Sequence, residues 1–363
     1  MFNRSNEKSL KLMMGYSYLP KENGMTPEGD DSHFICEEDD VFGVADGVGS
    51  WAKKGIDAGK YARELMTNCV IAVQNEPKGF IHPLSILEEA YSNTKSEGSS
   101  TACIVALTTD NCLHFANVGD SSFVVIRGDS VIYGSPTQQR RFNCPFQLGN
   151  HAHNDEPSSA YEFKVPVEEG DVVVAGTDGL FDNLFTEDIV DMVFPTTYIG
   201  KFPYWLAELI VKVAKMASQD KLYTSPFSLG AEMFGYSHSG GKPDDITALV
   251  AYVVIDRKQI RNVSDPKFDL CDVEGVVRIH GKSSKIFAVL SQMGDLMITF
   301  IKEFSVNATV SNEEAPPCSL NHCVPAVIFS TGRYAAINHW FLLGEDLNVR
   351  LLTVLVILHW IWG

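Results

Sequence analysis

The strongest constraint on this chain is a local design that recurs: a short apolar, β-rich run that begins or ends at an aspartate beside glycine or a second aspartate. The run Val41–Ala45 closes on Asp46-Gly47, the run Asp171–Ala175 leads into Gly176-Thr177-Asp178-Gly179, and Ile246–Val254 starts directly after Pro243-Asp244-Asp245. Continuous apolar runs of this length read as strands buried on both faces, so carboxylates are delivered to strand ends three times. Between Ser100 and Tyr133 lie four further β-rich runs, TACIVAL, LHFANV, SFVVIR and SVIY. The turn pairs Asp110-Asn111, Gly119-Asp120 and Gly128-Asp129 separate them, and the expectation is one antiparallel meander. From Asp57, apolar residues at Tyr61, Leu65, Met66, Cys69 and Val70 fall at helical spacing behind an N-capping aspartate. Further helical patterns cover Thr186–Val193 and Tyr204–Ser218. Strands first, then a meander, then helices and a last strand predict an α+β fold of two stacked antiparallel β-sheets flanked by helices, not a doubly wound parallel sheet.

Charge locates the interesting part of the 363 residues. The net charge is −17, yet residues 256–363 hold 10 Lys/Arg against 11 Asp/Glu, which leaves −16 on residues 1–255 by subtraction. So acidic a surface opposes a grip on nucleic-acid phosphates, and it suits either hard-cation binding or a plain self-repelling soluble surface. The eight cysteines show no CxxC pairing, and Cys69, Cys103 and Cys112 lie in apolar runs, as small buried thiols do in a reducing compartment. Two domains are expected: a main one over 10–255 and an extension over 256–363 of weak patterning, with a linker at Glu313–Pro317. The apolar end Leu351–Trp362 is about a dozen residues, short of the about 20 needed to span a bilayer, so membrane contact through this tail is not expected. The first twenty residues contain no continuous apolar stretch of the secretory kind.

The acidic positions beside glycine or at strand termini are Asp30 and Asp31, Asp46, Asp120, Asp178 and Asp244. A lone Asp-Gly is ordinarily a turn. Five separated segments of one design are different, because aspartates folded into a common pocket would repel one another unless positive charge sat among them. The set therefore reads as an all-oxygen cage for hard divalent ions, Mg²⁺ or Mn²⁺, and not zinc.

The motifs GDDSHF, GVADGVGSW, GSSTACIV, ANVGDSSF, VVAGTDGLFDN and GGKPDDITALV, in that order, resemble those of type 2C (PPM) metal-dependent protein serine/threonine phosphatases over nearly all of residues 15–255. The resemblance is closest to a short organellar subgroup, which implies a mitochondrion or chloroplast as the compartment. It implies the αββα sandwich of that family, two ions with a third in some members, a monomer, and phosphoprotein substrates. Asp46 would bridge the ions, with Gly47 and Asp30 serving one and Asp178 and Asp244 the other. Asp31 and Asp245 would hold water on the ions, and Asp120 corresponds to the third position. Hydrolysis would then proceed by attack of a metal-bridging hydroxide on phosphoserine or phosphothreonine, with Asp46 and Asp178 indispensable.

The sequence departs from that family in two places. Val48 stands where many members carry a histidine that protonates the leaving alkoxide, which makes His33 the side-chain candidate for general acid, against a structural role in a strand. The family's phosphate-gripping arginine has no counterpart near Thr26. Lys21 could reach the site, but a solvated surface lysine is the favoured reading. These departures keep a phosphatase-like binding protein and a hydrolase of small phosphate esters as alternatives. Trp51 reads as a packing anchor, and Cys318, His322 and Cys323 as a weak zinc-like cluster.

Overall fold

The computed structural model describes residues 9–22, 27–77, 80–198 and 202–256, all within a unit that spans Met1–Ser264. The tail readings at Glu313–Pro317, Cys318–Cys323 and Leu351–Trp362 lie outside the described residues, as does Thr26.

The chain opens with β1 (Leu10–Leu19), β2 (Asp31–Cys36) and β3 (Val41–Asp46), followed by helices α1 (Ala58–Asn75) and α2 (Pro83–Asn93). Asp57 caps α1 as expected, its carboxylate accepting from the Gly59 amide. The two-residue β4 (Ser99–Ser100) precedes the hairpin of β5 (Ala102–Leu107) and β6 (Cys112–Val118). Next come β7 (Ser122–Arg127), β8 (Ser130–Gly134) and three short strands, β9 (Gln139–Arg141), β10 (Cys144–Pro145) and β11 (Leu148–Gly149). Then β12 (Tyr161–Pro166) and β13 (Val172–Gly176) lead to α3 (Asp178–Phe181), α4 (Thr186–Tyr198), α5 (Pro203–Gln219), α6 (Pro226–Met233) and finally β14 (Ile246–Ile255).

Two antiparallel five-stranded sheets result, ordered β12-β6-β5-β3-β2 and β1-β14-β13-β7-β8. Their facing sides share one core in which Phe42, Val44, Val105 and Phe115 of the first sheet meet Leu12, Phe123, Val173 and Leu249 of the second. The outer face of the first sheet is covered by α1 and α2 through Tyr61, Leu65, Ile86 and Leu87. On the second, α5 lies against β1 and β14 and α4 against β7 and β8. The predicted αββα sandwich is present.

One expectation needs correcting. The four β-rich runs do not form a single meander, because β5–β6 belongs to one sheet and β7–β8 to the other. The chain changes sheets at Gly119-Asp120-Ser121, where Gly119 has φ +101° and a Cβ would lie 2.6 Å from the Phe146 carbonyl. Hairpin turn residues and a sheet-crossing kink use the same letters, so the sequence does not separate them. The crossing also sets Asp120 between the layers, at the end where the other acidic segments arrive. Helix α4 extends past its predicted end at Val193, through Pro195. The Thr196 and Thr197 hydroxyls bond back to the Met192 and Val193 carbonyls, which supports the turn that a proline would otherwise weaken.

Candidate metal centre

The ends of β2, β3, β6, β13 and β14 meet at one edge of the sandwich, and pairing register is what gathers the acids there. Asp31 lies directly opposite Asp46 in the β2–β3 ladder. The Asp46 amide donates to Thr101 Oγ1 at 3.0 Å, and Thr101 in turn lies 2.7 Å from Ser121 Oγ, beside Asp120. Asp178 opens α3, one residue after Thr177, while Asp244 and Asp245 immediately precede β14. A Cβ on Gly179 would fall 1.9 Å from the Asp245 carbonyl oxygen, so only glycine lets α3 approach the Asp244-Asp245 segment. Asn183 closes the same junction: its side chain donates to the Gly179 and Lys242 carbonyls and accepts from the Lys242 amide at 2.8 Å.

Asp30, Asp31, Asp46, Asp120, Asp178, Asp244 and Asp245 are therefore brought to one region, with the Gly47 amide bonded to the Asp30 carbonyl at 3.0 Å. Two lysines and a further aspartate complete it. Lys21 Nζ lies 2.9 Å from Asp30, 3.2 Å from Asp244 and 3.1 Å from Asp245. Lys242 Nζ bonds Asp178, with Asp182 at 2.7 Å and Asp244 at 3.3 Å. Lys21 is thus not the solvated surface lysine that its sequence favours. Lys242 and Asp182 escaped the sequence reading, although Asp182 stands four residues after Asp178, one helical turn away, and Lys242 two before Asp244.

His33 is not brought among the carboxylates. Its ring packs on Tyr16 with centroids 3.9 Å apart, and burial pushes its pKa down, which describes a neutral structural ring. Val48 spends its amide on the Ser99 carbonyl and brings no ionisable group. Trp51 is a packing anchor as expected: it is buried, stacked on His151 and bonded through Nε1 to Ser99.

The electrostatics show strong mutual repulsion. Burial raises the Asp46 pKa well above the carboxylate range, and Asp178, Asp31, Asp244 and Asp120 add to the shift. Burial and Asp245 do the same to Asp31, even though Thr177 and Thr247 both donate to its Oδ2 at 2.7 Å. Asp120 is pushed up to about 7 by burial and by Asp178 and Asp182. Burial also opposes the ionisation of Asp178, but the charge of Lys242 and its hydrogen bond outweigh it and hold this carboxyl low. Buried oxygens of Asp31, Asp120 and Asp178 have neither a hydrogen-bond partner nor an ion pair. Unpaired buried carboxylate oxygens are costly, and positive charge relieves them most directly.

Among the described residues, no three acidic, imidazole or thiol groups already converge on one point at metal-ligand spacing. What the carboxylates do surround is a pair of ammonium groups, each held by three of them, with Asp244 shared. The site thus accommodates two positive charges, and its donors are all oxygens, the type that Mg²⁺ and Mn²⁺ take.

The protein phosphatase 2C family model matches residues 24–222, a stretch that contains four of the five acidic segments. The chain belongs to the protein phosphatase 2C family. "Probable protein phosphatase 2C 55" of Arabidopsis thaliana is 48% identical over 252 residues, which is 69% of this chain and 54% of that protein. "Protein phosphatase PTC7 homolog fig" of Drosophila willistoni is 39% identical over 62% of this chain and 78% of its own length. The chain accordingly spans about half the length of the plant relative it matches. Among solved structures, the photosystem II phosphatase PBCP superposes with a TM-score of 0.62 at 31% identity, over 66% of this chain and 98% of its own. Its agreement with this chain supports the 2C phosphatase fold for the sandwich described above.

Proposed function

We propose that this 2C-family chain is a metal-dependent protein serine/threonine phosphatase. The observation that carries this reading is the pocket to which five segments bring aspartates, with two ammonium groups held among them and buried oxygens of Asp31, Asp120 and Asp178 left unpaired. Asp30, Asp46 and the Gly47 carbonyl would hold one ion, Asp46, Asp178 and Asp244 the other, and Asp120 a third. Two bound Mg²⁺ or Mn²⁺ ions supply a water acidic enough to deprotonate near neutrality and offset charge on the phosphoryl oxygens.

The chain's own residues supply alignment. Thr177 and Thr247 fix the Asp31 carboxylate, Tyr18 donates to Asp245 at 2.9 Å, and Asn183 ties the Lys242 segment to α3. Lys21 and Lys242 are the cationic side chains in contact with these carboxylates, and both are held charged against the cost of burial by their aspartates. Lys21, 28% exposed, is the one that can turn toward a phosphoryl oxygen, the part played by arginine elsewhere in the family. With Val48 two residues after the bridging aspartate, that position offers no imidazole to protonate the departing serine oxygen. General acid help is worth roughly 10²–10⁴-fold, so aryl phosphates, which leave without it, should be the faster substrates.

The test is hydrolysis of a phosphoserine peptide by the full chain with Mn²⁺, with and without excess EDTA. Turnover that chelation abolishes and Mn²⁺ restores supports the reading. Turnover indifferent to EDTA, or none under either condition, refutes it.

A further inference from the structure

The residues beside the acidic site carry an exposed aromatic surface that the chemistry above does not use. Phe142, in the β9–β10 hairpin, has three aromatic neighbours from α6 and the loop after it: Phe227 at 5.0 Å between ring centroids, Phe234 at 5.6 Å and Tyr236 at 5.5 Å. The last two are stacked on it at 26°, yet Phe234 remains 65% and Tyr236 57% exposed, with Met233 at 84% beside them. Gly230 makes room for the ring, since a Cβ there would sit 3.0 Å from Phe142 Cε2. A cluster of rings held in place by one another but left open to water is a surface shaped for a partner.

Its position and charge say which partner. Gln139, in the hairpin, donates to Asp120 at 2.7 Å, and the Phe227 amide donates to the Asp182 carbonyl at 3.0 Å. Lys242, which bonds Asp178, also lies 5.2 Å from the Phe227 ring centroid, so a single side chain separates the rings from the carboxylate site. On a domain with a charge of −16, the two segments that build the surface carry few acids: 139–146 has none, with Arg140 paired to Asp155 and Arg141 exposed, and 221–242 has Glu232 alone against exposed Lys221, its Lys242 being taken up by Asp178, Asp182 and Asp244. A segment bearing a phosphate dianion meets less repulsion here, beside Arg141 and Lys221, than on the acidic remainder of the domain.

We propose that this surface binds the segment flanking the phosphorylated residue of a protein substrate and seats one aromatic or large aliphatic side chain on Phe142, Phe234 and Tyr236. The proposal rests on the phosphatase reading and narrows its substrates to phosphopeptides with an apolar anchor near the phosphoserine or phosphothreonine. Rigid aromatic platforms concentrate binding energy in a few contacts, so the preference should be about tenfold for one anchor position.

Peptides carrying the non-hydrolysable phosphonate analogue of phosphoserine, with a tryptophan or an alanine walked along the flanking positions, are titrated by fluorescence anisotropy into the full chain with Mn²⁺. The expected result is about tenfold tighter binding for tryptophan at one position. That difference should disappear in the double variant Phe234→Ser/Tyr236→Ser, whose circular dichroism and melting report its fold. Gly230→Ala, which presses on Phe142, provides a second route and should shrink the preference. An equal affinity for all peptides, or a preference that survives in both variants, overturns the proposal. So does concentration-dependent dimerisation of the wild type that the double variant abolishes, because a second copy would then cover the surface. Turnover of the matching phosphoserine peptides, measured in parallel, separates the two claims: hydrolysis without discrimination removes this surface alone, and discrimination without hydrolysis removes the phosphatase reading alone.

Discussion

Single residues that are neighbours in this site have different consequences when replaced. Asp46→Asn removes the charge of the proposed bridging carboxylate and should abolish phosphopeptide hydrolysis while the melting temperature holds or rises, because a buried carboxyl under strong repulsion has gone. Thr247→Val deletes a hydroxyl that orients Asp31 without touching the proposed ions, and a loss of about 10–100-fold in Mn²⁺ affinity is expected by titration calorimetry. Lys21→Met should raise KM for phosphopeptide by roughly tenfold or more, the worth of a charged hydrogen bond, with a smaller effect on kcat. His33 belongs to stability instead. Its folded pKa lies below the unfolded value near 6.5, so between the two the unfolded chain binds more protons and stability falls as pH drops. Urea midpoints from pH 7.5 to 5 should therefore decline in the wild type and decline less in His33→Phe.

Elements hold the site together through close backbone approaches and buried polar ties. Gly179→Ala would drive a methyl group into the Asp245 carbonyl, so α3 and the Asp244-Asp245 segment must separate; loss of both activity and thermal stability is expected. At the other end of β13, Asp171 is buried and takes two bonds from Arg127, at 2.7 and 2.8 Å, and one from the Glu168 amide. Arg127 is 40% exposed and can be rehydrated, so Asp171→Ala should cost about 2 kcal/mol in urea unfolding without altering metal affinity. These elements also show what sequence can and cannot reveal. The strands β3, β13 and β14 were legible because burial on both faces demands a continuous apolar run. Strand β12 was not, since only Val165 of its six residues is buried and the rest obey no such demand. The change of sheet at Gly119-Asp120 was illegible because it depends on which sheet offers the next free edge, a property of the assembled fold.

For the whole molecule, acids that are far apart in sequence become neighbours only when both sheets are complete. The aspartate set was legible because its local design repeats. Lys21 and Lys242 were not, because a lysine near an acid is usually solvated and only the closed sandwich decides otherwise. The second sheet requires β14, which sits between β1 and β13, so a chain ended after Asp256 should be soluble and show the circular dichroism of the folded domain, whereas one ended after Lys242 should not fold. Among the described residues no helix is long and apolar enough to cross a membrane. The central claim is that these distant aspartates enclose a pair of divalent ions, and crystals of the full chain soaked in Mn²⁺ and measured at the manganese absorption edge test it most directly. At least two anomalous peaks are expected, flanked by Asp30, Asp46, Asp178 and Asp244; an empty site, with manganese elsewhere or nowhere, would contradict the claim.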